Sequence, residues 1–280
     1  MQIPFVKAHG AGNDFLLTWD GDAPFTPELA RAICHRHSGP GADGWMLVSR
    51  EPRTIRLLNS DGSEAELSGN GTRCAAALLV RDGLAEAEFI IQTGAGPKQL
   101  RLISRDHLSF LFEMNMGAPR LLDAACTLPL ASGAKKVTLL DVGNPQCVVL
   151  VDDFELDWRA MGAEIERHPH FPNRTNVSFV RRVDAHAIDV RFFERGAGET
   201  LSSGTGSTGA AFAALHHGLV SSPVRVLTPA GPLELRQSGD ALYLTGPAVI
   251  VAEGIFHYDE HECLDPPEPP ITLPKSCSTN

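Results

Sequence analysis

The sequence carries a long-range internal repeat. The segments 68–71 and 203–206 share the form S-G-x-G, and each is followed three residues later by an alanine-rich run. Glu64 and Glu199 each precede the serine of their motif by four residues, so serine and glutamate share one offset of 135 residues. A repeat that preserves several positions indicates that the chain folds as two related structural units.

Each S-G-x-G turn opens a predicted helix. The segments 71–81 and 206–217 are rich in alanine and leucine, which favour helix, and Gly83 and Gly218 follow where helices commonly end. Apolar segments with strand character surround both helices, at 54–58, 88–92, 108–112, 177–180, 187–193, 224–227 and 242–244. We therefore predict an α+β fold of two pseudo-symmetric domains, each a curved mixed sheet wrapped around a central helix.

The domain boundary is predicted at the Gly-Ala-Pro turn of residues 117–119. The N-terminal half then spans 1–117, completed by a strand around 248–257, and the C-terminal half spans 118–247. The proline-rich segment 263–280 is expected to be a disordered tail.

Charge and composition restrict the partners of the chain. The net charge of −10 argues against nucleic acid or an anionic membrane as the main partner. No apolar run approaches the roughly 18 residues of a membrane helix, and no secretory signal is visible, so we expect a cytoplasmic protein. The six cysteines form no metal-finger spacing, and no phosphate-loop or dinucleotide motif is present. We expect neither a metal nor a cofactor.

The two glycine turns predict a carboxylate site. A helix N-terminus presents free N–H groups and the positive end of the helix dipole, and both favour a bound anion. Ser68 and Ser203 could instead serve only as ordinary N-caps. The duplication of the motif, with glutamate companions and with Asn13 and Asn144 at a similar offset, favours the binding site.

Motifs in family order, from residue 1 to about 257, make the chain similar to the diaminopimelate epimerase family. These motifs are His9-Gly10-Ala11-Gly12-Asn13-Asp14-Phe15, Gly41-Ala42-Asp43-Gly44, Asn59-Ser60-Asp61-Gly62-Ser63-Glu64, Gly143-Asn144-Pro145-Gln146-Cys147, Phe171-Pro172-Asn173-Arg174-Thr175-Asn176, Glu194-Arg195-Gly196-Ala197-Gly198-Glu199-Thr200 and Leu244-Thr245-Gly246-Pro247-Ala248. The resemblance implies the two-domain fold predicted above and a homodimer.

The resemblance also implies an activity. It is the interconversion of LL- and meso-diaminopimelate without pyridoxal phosphate or metal, in lysine and peptidoglycan precursor synthesis. One group removes the α-proton from one face of the α-carbon, and a second group delivers a proton to the other face. The two helix N-termini hold the reacting carboxylate while negative charge develops on it.

The family's functional positions can be matched residue by residue. The residues at its catalytic positions are Ser68, Ser203, Glu194 and Gln146. The residues at its ligand-contacting positions are Asn13, Asn59, Gly69, Asn70, Asn144, Asn176, Glu194, Arg195, Gly204 and Thr205. The resemblance implies that Arg195 pairs with the distal carboxylate of the substrate and that asparagines bind its distal amino group.

Both acid/base positions depart from the family, which has cysteine where this chain has Ser68 and Ser203. In addition, Gln146 replaces the histidine usual after Gly-Asn-Pro. A thiol has a pKa near 8.5 and can become a thiolate at a helix N-terminus, whereas a serine hydroxyl is not normally titratable. Each pK unit of that difference costs about 1.4 kcal/mol. Glu194 could accept a proton on one side, but the amide of Gln146 cannot.

Three explanations of the serines are open. The chain can be an engineered form, a natural variant with altered chemistry, or a silent paralogue that binds an amino acid. The alternative functions are accordingly a related isomerase or dehydratase that needs one base, and an amino-acid-binding protein without activity. Turnover of any α-amino acid separates the enzymes from the binding protein, and α-proton exchange without inversion indicates one-base chemistry.

Overall fold

The computed structural model describes residues 1–259, and the predicted tail at 263–280 lies outside them. Its first elements are β1 (Gln2–Gly10), β2 (Asn13–Trp19), α1 (Pro27–Cys34), β3 (Gly44–Val48), β4 (Ile55–Asn59), β5 (Glu64–Ala65), α2 (Gly69–Arg81), β6 (Glu88–Thr93), β7 (Gly96–Asp106) and β8 (Ser109–Gly117). The elements that follow are β9 (Arg120–Leu128), β10 (Lys135–Asp141), β11 (Pro145–Leu150), α3 (Trp158–Glu166), β12 (Asn176–Asp184), β13 (Ala187–Glu194), β14 (Gly198–Thr200), α4 (Gly204–His216), β15 (Val224–Thr228), β16 (Gly231–Ser238) and β17 (Ala241–His257).

The order of elements occurs twice. Two strands, a helix, three strands, a helix and three strands run from β1 to β8 and again from β10 to β17, with β9 between the copies. The pairing repeats as well, because β2 is parallel to β3 and β11 is parallel to β12, and each of these pairs is extended by an antiparallel strand. The two-fold repeat and the α+β class predicted from the sequence are thus confirmed.

Strand β17 joins the two copies. It pairs first with β16, then with β8 over Leu242 to Val249, and finally with β1, where His257 is opposite Gln2. All strands therefore belong to one hydrogen-bonded network. The division into two domains at residue 117 stays a prediction.

The two predicted central helices, α2 and α4, are present and begin two residues earlier than expected. Ser68 and Ser203 cap them, since each side chain accepts a hydrogen bond from the N–H three residues later. Every residue of α2 from Gly69 to Val80 is buried. The first helix packs on β1, β2, β8 and β17, and the second packs on β10 to β13, β15, β16 and β17. One large apolar core surrounds both helices, and its burial is the main stabilising contribution.

The shorter helices α1 and α3 cover the outer faces of the two copies. Helix α1 packs on a small cluster that includes Trp45, and α3 on another that includes Phe179. Among residues 1–259, no helix is both long and apolar enough to cross a membrane.

Candidate active site

The N-termini of α2 and α4 meet at two glycines. A Cβ added to Gly204 would lie 2.9 Å from the Cα of Gly69, and one added to Gly69 would lie 3.1 Å from the Cα of Gly204. Only glycine permits this approach of two main chains. Both helix starts therefore open on one cavity of about 640 Å³, and their dipoles make this part of the cavity attractive to a carboxylate.

Nearly all of the predicted site residues line this cavity. They are Asn13, Asn59, Ser68, Gly69, Asn70, Asn144, Asn176, Glu194, Arg195, Ser203, Gly204 and Thr205. The exception is Gln146, which is 2% exposed and lies behind the wall. The sequence thus identified residues that the fold brings together from segments almost 200 residues apart.

Ser203 is hydrogen bonded to a carboxylate. Its Oγ donates to Glu194 Oε1 over 2.6 Å and accepts from the N–H of Gly206 over 3.0 Å. Thr200 Oγ1 donates to the other carboxylate oxygen of Glu194 over 2.8 Å. Burial raises the pKa of Glu194 above its usual value, and the hydrogen bonds from Ser203 and Thr200 limit the rise. Ser203 therefore has an adjacent proton acceptor.

Ser68 has a different environment, although its backbone geometry is similar. Its Oγ accepts from the N–H of Gly71 over 3.1 Å, and no carboxylate among the described residues accepts from it. Both copies of the repeat have a serine that caps the helix, but only the second copy has a carboxylate bonded to that serine. The two serines are therefore chemically unequal.

A buried guanidinium orients the amides of the first half. Arg73 is fully buried, and its Nη2 lies 2.5 Å from Asn70 Oδ1. This contact directs Asn70 Nδ2 to Asn13 Oδ1 at 3.3 Å, and Asn13 Nδ2 then donates to Asp43 Oδ2 at 2.8 Å. One chain of hydrogen bonds thus runs from a buried cation through two amides to a carboxylate.

Arg73 also supports the start of α2. Its Nη1 donates to the carbonyl of Gly69 over 3.2 Å, and its Nε donates to the carbonyl of Pro247 in β17 over 3.1 Å. Burial lowers the pKa of Arg73 to about 10, so the group stays charged at neutral pH. The cation adds positive potential beside the helix start, which favours a bound anion.

A second amide chain supports the start of α4. Gln146 Nε2 donates to Asn144 Oδ1 over 2.7 Å, and Asn144 Nδ2 donates to Thr205 Oγ1 over 3.3 Å. Gln146 Oε1 is buried without a hydrogen-bond partner. In residues 1–259 Gln146 therefore positions Asn144 and makes no hydrogen bond to either serine.

Asn176 and Arg195 form the wall near β12 and β13. Asn176 Nδ2 donates to the carbonyl of Pro145 over 3.1 Å, and Asn176 Oδ1 accepts from the N–H of Arg195 over 3.1 Å. The guanidinium of Arg195 is bound to Glu66 Oε2 at 3.0 Å. Asn59 Nδ2 donates to Ser63 Oγ over 3.0 Å.

Several residues with a structural part in the site were not singled out from the sequence. Asp43 belongs to the matched motif Gly41-Ala42-Asp43-Gly44, and Arg73 lies two residues after the first S-G-x-G turn, so both positions could have drawn attention. Glu66 carries no motif signal, because its partner Arg195 is 129 residues away. Buried Glu166 also lies outside the matched motifs. It accepts a hydrogen bond from the N–H of Gly196, 30 residues away, over 3.2 Å.

The described cysteines do not offer a substitute nucleophile. Burial raises the pKa of the Cys34 and Cys74 thiols to about 12, and raises that of Cys147 further. Burial also raises the pKa of Cys126, and none of these four thiols lines the cavity. Within residues 1–259, no group of three or more histidine, cysteine and acidic side chains is arranged to hold a metal ion.

Comparisons with known proteins agree with the resemblance seen in the sequence. A family model described as diaminopimelate epimerase matches residues 5–122 and 138–251. A diaminopimelate epimerase from Microcystis aeruginosa is 37% identical, and the match covers 91% of this chain and 99% of that relative. One from Moorella thermoacetica is 39% identical with the same two coverages.

The fold is also found in solved structures. The crystal structure of a probable proline racemase from Agrobacterium radiobacter K84 matches with a TM-score of 0.71 at 19% identity, covering 95% of this chain and 94% of the other. At that identity the likeness concerns the fold alone. The family match over both copies of the repeat and the relatives above 35% identity are decisive, and the chain belongs to the diaminopimelate epimerase family.

Proposed function

We propose that this chain is a cofactor-independent isomerase that acts at the α-carbon of diaminopimelate. The observation that carries the proposal is the meeting of two capped helix N-termini at Gly69 and Gly204, with Ser68 and Ser203 at the two starts. A small carboxylate held there has one serine from each copy of the repeat beside it. Two groups from opposite sides of one carbon are what stereoinversion requires.

The ligand binds with its reacting carboxylate at the two helix starts. The N–H groups of the first helical turns have no partner within their helices, and buried Arg73 adds positive charge behind α2. The distal end of the ligand then lies toward Arg195 and the amides of Asn144 and Asn176, which line the same cavity. These preorganised dipoles stabilise the negative charge that forms when the α-proton leaves.

Glu194 is the base on one face, and Ser203 relays the proton. As the α C–H bond breaks, its proton passes to Ser203 Oγ, while the proton already on Oγ moves along the 2.6 Å hydrogen bond to Glu194. The electron pair of the C–H bond stays on the substrate as a carboxylate-stabilised carbanion. No alkoxide has to form on Ser203 in this transfer, which avoids the high cost of ionising a hydroxyl.

Ser68 is the proton donor on the other face. When Ser68 Oγ gives its proton to the carbanion, an alkoxide is left on Ser68 and recovers a proton from solvent, because no carboxylate among the described residues is bonded to this serine. We therefore expect inversion by this chain to be much slower than by a variant with thiols at both positions, because a thiol at a helix N-terminus ionises near neutral pH.

The test is α-proton exchange and inversion of LL-diaminopimelate in deuterated water. The chain is compared with Ser68→Cys, Ser203→Cys and the double variant by NMR and by separation of the stereoisomers. Slow exchange with some inversion in this chain, and faster inversion in the double variant, is the expected result. If neither the chain nor the double variant binds or exchanges diaminopimelate, the proposal is wrong. Binding without exchange in any variant supports the amino-acid-binding protein instead.

A one-base isomerase or dehydratase is the second candidate function. The observation that favours it is the inequality of the serines, because only Ser203 has an adjacent carboxylate. Such an enzyme exchanges the α-proton on one face and does not invert the centre. Exchange with retention, lost in Glu194→Gln and unchanged in Ser68→Ala, supports this function over epimerisation.

The cellular setting is also proposed. An epimerase of this substrate supplies meso-diaminopimelate for lysine and peptidoglycan precursor synthesis. We infer a cytoplasmic location and, from the family resemblance, a homodimer. Cell fractionation and sedimentation velocity of the full chain test the location and the oligomeric state.

A further inference from the structure

Glu66 and Arg195 form an ion pair between the two copies of the repeat. Arg195 Nη2 lies 3.0 Å from Glu66 Oε2, and both residues line the cavity. The side chain of Arg195 is 28% exposed and that of Glu66 is 54% exposed. A carboxylate of the protein is thus bound to Arg195, the arginine that lies at the distal end of the ligand in the proposed function.

The two other arginines of the cavity are held more firmly. Arg36 makes two hydrogen bonds, of 2.7 and 3.1 Å, to the carboxylate of Asp14, which is 14% exposed. Arg174 pairs with Glu166, whose side chain is 1% exposed. Arg36 also pairs with Asp43, which is 43% exposed, but it keeps its two bonds to Asp14 if that contact opens. Among the arginines that line the cavity, Arg195 is therefore the one whose described carboxylate partner is more than half exposed.

The main chains of the pair are fixed, so the side chains can separate without moving the walls. The carbonyl of Glu66 accepts from the N–H of Ala95 over 3.0 Å, and a Cβ on Gly94 would lie 2.9 Å from the Cα of Glu66. On the other side, the N–H of Arg195 is bound to Asn176. Exchange of one carboxylate for another at Arg195 then needs only rotation of the Glu66 side chain.

We propose that Glu66 is a specificity-determining residue that holds Arg195 until the distal carboxylate of an amino-acid ligand displaces it. The inference rests on the proposed function. An exposed ion pair contributes little free energy, so a ligand carboxylate that also gains the contacts at the helix starts can replace Glu66. A ligand that ends in an ammonium group alone cannot, because Arg195 repels it. Competition of this kind excludes wrong ligands without adding a contact to the right one.

The experiment is calorimetric titration of the full chain with two probes. L-2-aminopimelate has a distal carboxylate and no distal amino group, and L-lysine has a distal ammonium and no distal carboxylate. In Glu66→Gln the competing charge is gone, and we expect the affinity for L-2-aminopimelate to rise about two- to fivefold. The affinity for L-lysine does not rise.

Glu64→Gln is the matched control, since Glu64 is an exposed carboxylate that lines the same cavity. It removes the same charge and leaves the ion pair of Glu66 and Arg195 in place. In an Arg195→Gln background, Glu66→Gln has no effect on L-2-aminopimelate. A thermal melt of each variant confirms that it is folded.

Three results overturn the proposal. The first is binding of L-2-aminopimelate that Glu66→Gln leaves unchanged or weakens. The second is an equal rise in Glu64→Gln, which indicates a general effect of cavity charge. The third is no binding of diaminopimelate or L-2-aminopimelate to any variant, which overturns the proposed function together with this inference. The first two leave the proposed function intact.

Discussion

The hydroxyl of Ser203 lies 2.6 Å from the carboxylate of Glu194, and the repeat does not reproduce this pair at Ser68. The caps, the glycines and the helices obey the two-fold relation, whereas the proton acceptor belongs to one copy only. Chemistry at the two faces of a bound α-carbon is therefore expected to have different rates.

Replacement of Glu194 by glutamine is expected to abolish α-proton exchange at the Ser203 face with little loss of stability. The amide keeps the size of the side chain and can accept from one of the two hydroxyls and donate to the other, but it accepts no proton. Burial raises the pKa of Glu194, so the native state binds this proton more tightly than the unfolded chain does. The native state therefore gains stability from this group as the pH falls through that pKa.

The exchange rate has the opposite pH dependence. It rises with pH while Glu194 loses its proton and levels off above that pKa, which lies higher than that of an ordinary glutamate. Exchange measured by NMR and urea unfolding of the parent chain and Glu194→Gln, both followed across the acidic to neutral range, check the two effects. Exchange by Glu194→Gln at the rate of the parent chain contradicts the assignment.

Gly204→Ala is expected to separate the two helix starts. The added methyl group would lie 2.9 Å from the Cα of Gly69, so the helices have to move apart. Overpacking of this kind costs about 1–3 kcal/mol of unfolding free energy, and ligand affinity falls because both anion-binding starts are displaced. Gly209→Ala is the control in the same helix, since its Cβ keeps 3.3 Å or more from its neighbours. Denaturant unfolding and ligand titration of both variants test the difference.

Arg73→Met is expected to destabilise the protein by roughly 3 kcal/mol, because three buried oxygen acceptors lose a charged donor. They are Gly69 O, Asn70 Oδ1 and Pro247 O. The surface variant Arg101→Met loses only an exposed pair with Glu113 and is expected to cost under about 1 kcal/mol. Equal unfolding midpoints of the two variants would contradict the structural part given to Arg73.

Local sequence signals were sufficient for the two central helices. Serine before glycine indicates a cap, and alanine-rich runs indicate helix, so α2 and α4 were predicted to within two residues at their N-termini. The error has a local cause. Because Ser68 Oγ binds the N–H of Gly71, the first helical turn already includes Gly69 and Asn70.

Long-range relations were beyond such signals. Gly246 and Pro247 disfavour a continuous strand, yet β17 runs through them because they pair with Phe112 and Leu111 of β8, and the pairing with β1 begins two residues later at Val249. The pair of Glu66 and Arg195 likewise depends on how the two copies meet. Most of the predicted residues that line the cavity could be identified from the family motifs, whereas Glu66 could not.

The shared strand has a consequence for synthesis of the chain. Residues Gln2 to His9 of β1 pair on one edge with residues 249–257, which leave the ribosome about 240 residues later. At a synthesis rate of about 5–20 residues per second, that edge of β1 stays unpaired for roughly 10 to 50 seconds. An unpaired strand edge is a template for wrong pairing, so the growing chain depends on protection of its first strand until its last one emerges.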